Sequence, residues 1–187
     1  MLLLCLSALR GEASLARTAG VRMRLSVPLS ELTVDKVRQY TRPDEMIAHL
    51  TAMTDQADDL HMRRLLATAY ASARNLKLAI GHIDAALDVD PSDVEMLFLK
   101  GVSLEHAGDI EEALDAYEAV LTAEPSNWRA LFHVGKISMQ VGWVDDAREY
   151  FERVKEINPE HLATTEILER LREVDEETVG DALAEVP

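Results

Sequence analysis

Residues 60 to 161 repeat at a period of 34 positions, and this limits the chain to folds built from a row of like units. Ala67, Gly101 and Gly135 lie 34 apart, as do Ala79, Ala113 and Ala147. Ile83, Tyr117 and Phe151 keep the same interval, and so do Pro91, Pro125 and Pro159. Arg74, Gly108 and Gly142 occupy one further place, followed by Asn75, Asp109 and Trp143. The three copies, 60–93, 94–127 and 128–161, run without a gap and cover 102 of 187 residues.

The middle copy shows what one unit is. Met96, Leu97, Lys100, Gly101 and Leu104 follow helical spacing until Gly108-Asp109 breaks the run. A second helical pattern follows in Ile110, Ala113, Leu114, Tyr117, Val120 and Leu121. It ends at Glu124-Pro125, because a residue before proline avoids the helical region. Each copy is therefore expected to be two antiparallel helices with a tight turn. Gly101 and Ala113 lack bulk and let the helices approach, and Tyr117 fills space toward the next unit. One such pair cannot bury its apolar face alone, whereas three stacked pairs share a continuous core.

This pattern of small residues, a large apolar residue four positions later and a closing proline resembles the tetratricopeptide repeat family. The resemblance implies an all-α superhelix, or solenoid, of three helix pairs. The flanks are read as an N-terminal helix and a C-terminal capping helix. Composition agrees, with 48% apolar but only 5% aromatic residues.

Charge is unevenly placed. Residues 1–42 carry a net +4 and residues 43–187 a net −19, which sum to −15. An acidic body argues against nucleic acid as a partner, since phosphate contacts need Lys and Arg. No apolar stretch is long enough for an integral membrane span. The one cysteine, Cys5, rules out a disulfide framework and fits a reducing compartment such as the cytoplasm.

The ends are read separately. Residues 1–24 form a basic leader or unstructured extension. The segment is open to reading as a secretory signal or transit peptide, or as lying upstream of a start at Met23. In 25–59, Leu29, Thr33, Val37 and Tyr40 fit one helical face after a Ser30 cap, although Val34 to Val37 could equally extend. Asp44 to Thr54 is expected to be helical and to cover the open end of the first repeat. Leu162 to Arg172 begins like a fourth repeat and stops. Glu169 stands where Ala67, Gly101 and Gly135 stand, so this is a capping helix with no partner packed close. The acidic tail 173–187 is expected to be disordered.

No catalytic constellation is present. The six histidines contain no helical metal pair, and no phosphate loop or nucleophile motif occurs. No cofactor or metal is implied, and the chain is read as not an enzyme. Asp88 to Asp93 falls where the repeat needs a turn and a helix cap, and it lacks the glycine of a calcium loop.

The resemblance implies instead a concave groove lined by the first helix of each repeat. Its inner-facing positions are His61, Arg64, Leu65, Thr68, Ala71 and Ser72, then Glu95, Phe98, Leu99, Val102, Glu105 and His106. In the third repeat they are Arg129, Phe132, His133, Lys136, Met139 and Gln140. Arg64, Thr68, Phe98, Leu99, Val102, Arg129, Phe132, His133, Lys136 and Met139 are the candidate peptide-binding residues. Basic groups gathered on one face of an acidic protein suggest an anionic ligand, and the apolar groups between them suggest side-chain anchors. Leu99 and Phe132 have a second reading, as packing between neighbouring first helices.

The family's clamp for a C-terminal carboxylate, known from heat-shock co-chaperones, resembles this groove only in part. Arg64 and Arg129 match two cations, but Thr68 and Leu99 replace its asparagines and His133 its third cation. The partner expected is a protein or peptide with apolar anchors and an acidic group, with self-association left open. The function expected is a non-catalytic adaptor or assembly scaffold. Its alternative is a chaperone like those of type III secretion, which share three repeats and an acidic character.

Overall fold

The computed structural model describes residues 29–53 and 60–184, and within them every regular element is helical. A 3-10 turn, Leu29–Glu31, leads into α1 (Val34–Arg38) and α2 (Pro43–Ala52). The helix pairs follow as α3 (Leu60–Ser72) with α4 (Leu76–Leu87), α5 (Val94–Ala107) with α6 (Ile110–Ala123), and α7 (Trp128–Val141) with α8 (Val144–Ile157). The last element is α9 (Leu162–Ala184). The leader 1–24 lies outside the described residues. Among them, no helix is long and apolar enough to cross a membrane.

The period of the sequence is the period of the structure. First helices begin at Leu60, Val94 and Trp128 and second helices at Leu76, Ile110 and Val144, each 34 residues after the last. Asn75, Asp93 and Asn127 cap helices by accepting hydrogen bonds from backbone N–H groups of the first turn. The turn inside each pair needs a left-handed residue. Gly108 and Gly142 supply it at φ 92° and 89°, while Arg74 adopts φ 60° with a side chain in place. The backbone bond closing the turn recurs unchanged as Asn75 N to Tyr70 O, Asp109 N to Leu104 O and Trp143 N to Ser138 O. Arg74 keeps that geometry at a cost of about 1–2 kcal/mol, which glycine would avoid.

The two helices of a pair meet over one small residue and one large one. A Cβ added to Gly101 would stand 2.6 Å from the Tyr117 ring, and one added to Gly135 would stand 3.0 Å from the Phe151 ring. In the first pair the large residue is Ile83 and the small one is Ala67, so less bulk opposite leaves room for one methyl. Ala67, Ile83, Tyr117 and Phe151 are fully buried.

The core is a chain of clusters along the stack. The first joins Leu32, Val34, Val37, Met46 and Leu50 to Met62, Leu65, Leu66 and Ala69, so α1 and α2 close the open side of α3. The second gathers Ala67, Ile83, Ala86, Met96 and Leu99. The third holds Leu104, Ala113, Tyr117, Val120, Ala130, Val134 and Ile137. In the fourth, Leu168 and Leu171 of α9 cover Ala147 and Phe151.

Both flanks differ in detail from the sequence reading. The cap of α1 is Thr33 rather than Ser30, with its hydroxyl accepting from Lys36 N at 3.3 Å. The last helix does not stop at residue 172 but runs for 23 residues to Ala184, through most of the segment expected to be a disordered tail. Packing of Leu168 and Leu171 nucleates α9, and each further residue then costs little to add. Apart from Gly180, the added stretch contains mainly tolerable helix formers. Glu169 is exposed, in keeping with a helix that receives no partner on that side.

Opposite signs are expected for one substitution at two helical glycines. Gly101→Ala should cost about 1–3 kcal/mol by forcing Tyr117 aside. Gly81→Ala, with nothing within 4 Å of the new methyl, should add about 0.5–1 kcal/mol. Urea melts followed by circular dichroism would measure both, and equal effects would refute the packing account. Deleting residues 162–187 uncovers Phe151 and Ala147 and is expected to cause aggregation or early melting, seen by light scattering during a thermal ramp.

Candidate peptide-binding face

The first helices place their functional side chains by helical spacing. On α5, Glu95, Phe98, Val102 and Glu105 recur at intervals of three or four, and Arg129, Phe132, His133 and Lys136 do so on α7. Contacts between these rows join the repeats along one face.

The first polar network spans three helices. The Arg64 Nε of α3 lies 3.0 Å from Asp93 Oδ2, and its Nη2 donates to Glu95 Oε2 at 3.0 Å. Glu95 Oε1 accepts from Arg38 Nη2 of α1 at 3.0 Å. Asp93 meanwhile caps α5, accepting from the backbone N–H groups of Glu95 and Met96. Arg64 therefore ties the N-terminal flank and the first repeat to the second.

The second network centres on Glu105. His133 Nδ1 lies 2.6 Å from Glu105 Oε2, Lys136 Nζ donates to Oε1 at 3.0 Å, and the Tyr117 hydroxyl donates to Oε2 at 2.9 Å. Burial raises the Glu105 pKa, but the hydrogen bonds from His133 and Lys136, the His133 charge and the Tyr117 hydroxyl outweigh it. The carboxyl is held at about 2, well below its usual 4.5. Burial and the adjacent carboxylate push Tyr117 upward, so its hydroxyl stays protonated and donating.

Rings pack around the second network. Tyr117 stacks on His133 with centroids 5.1 Å apart, and Phe98 meets both. Phe132 meets His133, His161 and Phe151 edge to face. The Arg129 guanidinium stands over the Phe98 ring, 4.6 Å from its centroid. Arg129 is exposed and, among the described residues, has no acidic partner.

The candidate residues are thus not equivalent. Phe98, Val102, Phe132 and His133 are half-buried on this face, and Met139 is 39% exposed beside them. Thr68 and Leu99 are buried, which corrects their reading as groove contacts. The Thr68 hydroxyl donates to Arg64 O at 2.9 Å, and Leu99 belongs to the cluster with Ala67, Ile83 and Met96. Arg64 and Lys136 were expected to offer free positive charge, but both are already paired with acids of the neighbouring helix. Asp93, Glu105 and Tyr117 complete these networks and were absent from the candidate set. Their signal was available, because Arg64–Glu95 and Glu105–Lys136 both span 31 residues, three short of the period. That interval joins the fifth and twelfth positions of one repeat to the second and ninth of the next.

Elsewhere, a shallow hollow of about 370 Å³ lies between α3 and α4, lined by Arg63, Leu66, Lys77, Leu78, Gly81, His82 and Ala85. It contains none of the candidate residues. No group of three or more His, Cys, Asp or Glu able to hold a metal ion occurs among the described residues.

The tetratricopeptide repeat family model matches residues 64–124 and again 107–161. No curated protein matches the chain. Among solved structures, MamA from residue 41 to its end, from Desulfovibrio magneticus RS-1, is similar over 82% of this chain and 88% of that one, at 20% identity and TM-score 0.67. YrrB, described as a TPR protein with an unusual peptide-binding site, is similar over 67% of this chain and 65% of that one, at 21% identity and TM-score 0.61. TTC0263, a thermophilic TPR protein of Thermus thermophilus, is similar over 69% and 72%, at 14% identity and TM-score 0.59. At these identities the likeness is one of fold alone.

The Glu105 pKa is lowered on folding, so its contribution to stability is fully present above pH 4.5 and is lost as pH falls toward 2. Glu105→Gln should therefore lower stability at pH 7 by roughly 1–3 kcal/mol, with the gap to wild type closing as pH falls below the usual glutamate range. Urea midpoints at pH 7 and pH 3 would show it, and a gap independent of pH would contradict the clamp.

Proposed function

Because the chain belongs to the tetratricopeptide repeat family, we propose that it is a non-catalytic adaptor or assembly scaffold holding a partner peptide on the face of α3, α5 and α7. The observation that carries this reading is the half-buried apolar row Phe98, Val102 and Phe132, continued by exposed Met139. Each side chain is partly open to solvent, and ring contacts with Tyr117, His133 and Phe151 hold the two phenylalanines in place. A peptide lying along it would bury apolar side chains against a surface already ordered, which lowers the entropic cost of binding. That YrrB is described as having a peptide-binding site supports a peptide as the ligand class. The alternative, a chaperone like those of type III secretion, has no observation of its own in this structure. The three repeats keep one register throughout, as a shared interaction surface requires.

A random dodecapeptide phage library panned on the purified chain would supply ligands for a direct test. Phe98→Ala, shown folded by circular dichroism, should weaken the selected peptides by about 1–3 kcal/mol. Glu111→Arg, on an exposed position of α6, should leave them unchanged. Wild-type affinity in folded Phe98→Ala would place the site elsewhere.

A further inference from the structure

We propose that this face reads one carboxylate, carried by an Asp or Glu side chain of the partner segment, and that Arg129 alone reads it. The inference rests on the peptide-binding reading above and adds the ligand's charge pattern to it. Four basic side chains point to this face, and the structure separates them by what they already hold. Arg64 is paired with Asp93 and Glu95, and Lys136 with Glu105. His133 shares Glu105. Each of these charges is answered within the fold, and an incoming anion would have to displace a carboxylate at about 3 Å.

Arg129 differs in three respects. It is exposed, no acid of the described residues meets it, and its guanidinium carbon stands over the Phe98 ring, 4.6 Å from the centroid. The contact occupies one side of an exposed group with five N–H donors, and the donors on its solvent side are available to a planar carboxylate. The same contact sets that carboxylate beside the apolar row. A peptide seated on Arg129 therefore places a neighbouring apolar side chain against Phe98, Val102 or Phe132.

The count of free charge also limits how much charge the bound segment carries. A C-terminal acidic residue carries two carboxylates close together. Among the described residues this face offers one unpaired cation. The second carboxylate would be left without a partner, which disfavours binding. An internal Asp or Glu beside an apolar residue brings one charge and matches the face.

The experiment uses peptides selected on the wild-type chain. Replacing their single Asp or Glu by Asn or Gln should weaken binding by about 10-fold on wild type and should leave it unchanged or strengthen it on Arg129→Glu. A peptide with Lys at that place should bind Arg129→Glu better than it binds wild type. Amidating the peptide's C-terminus should change its affinity by less than about 2-fold. Selected peptides that share no acid, equal losses on both proteins, or a large loss on amidation would each overturn the proposal. Phe98→Ala separates the two readings. If it abolishes binding while the acid and Arg129 show no coupling, the face stands and its charge pattern is wrong. If neither substitution changes affinity, both fail.

Discussion

Everything in this stack depends on how closely the two helices of each pair approach, and a small residue opposite a large one sets that distance. Gly101 accepts the Tyr117 ring where no Cβ would fit, and Gly135 does the same for Phe151. Close approach does more than exclude water. With its ring seated on Gly101, the far end of Tyr117 reaches Glu105 and stacks against His133 of the next repeat. A core contact in α5 and α6 thereby positions a charged group on the face of the first helices and couples it to α7. The chemistry of the face is built from inside the pair rather than added to its surface.

Periodicity made the fold legible. Helix starts, the glycine turns and the crossing residues all follow from one interval, because a repeat places equivalent residues in equivalent environments. The face was legible to the same extent, since helical spacing says which side a residue occupies. Spacing does not say how deep that residue lies. Thr68 and Leu99 share the face with Phe98 yet are buried, because depth depends on how the neighbouring helix crosses. Pairing left only an indirect trace, a spacing of 31 residues that recurs. Arg64 and Glu95 are distant in sequence and meet only once two first helices are set side by side. Read as isolated positions, three cations imply an anionic ligand, whereas read with their acids they leave one.

The flanks were less legible because they depart from the period. Thr33, not Ser30, caps α1, and a helix of five residues gives sequence patterning little to work on. At the other end, acidic composition suggested disorder for a stretch that continues α9. Composition describes what a segment would do alone, and this one follows a helix already anchored by Leu168 and Leu171.

The core clusters lie in a row, each made by neighbouring units, and no cluster joins one end of the stack to the other. Such a series opens from its ends, link by link, and a link in the middle is protected by those on both sides. A peptide laid across α5 and α7 would act as a splint over the middle links. Its presence would then be felt by amide protons it never touches, in α6 and α8, whose exchange with solvent waits on the same openings.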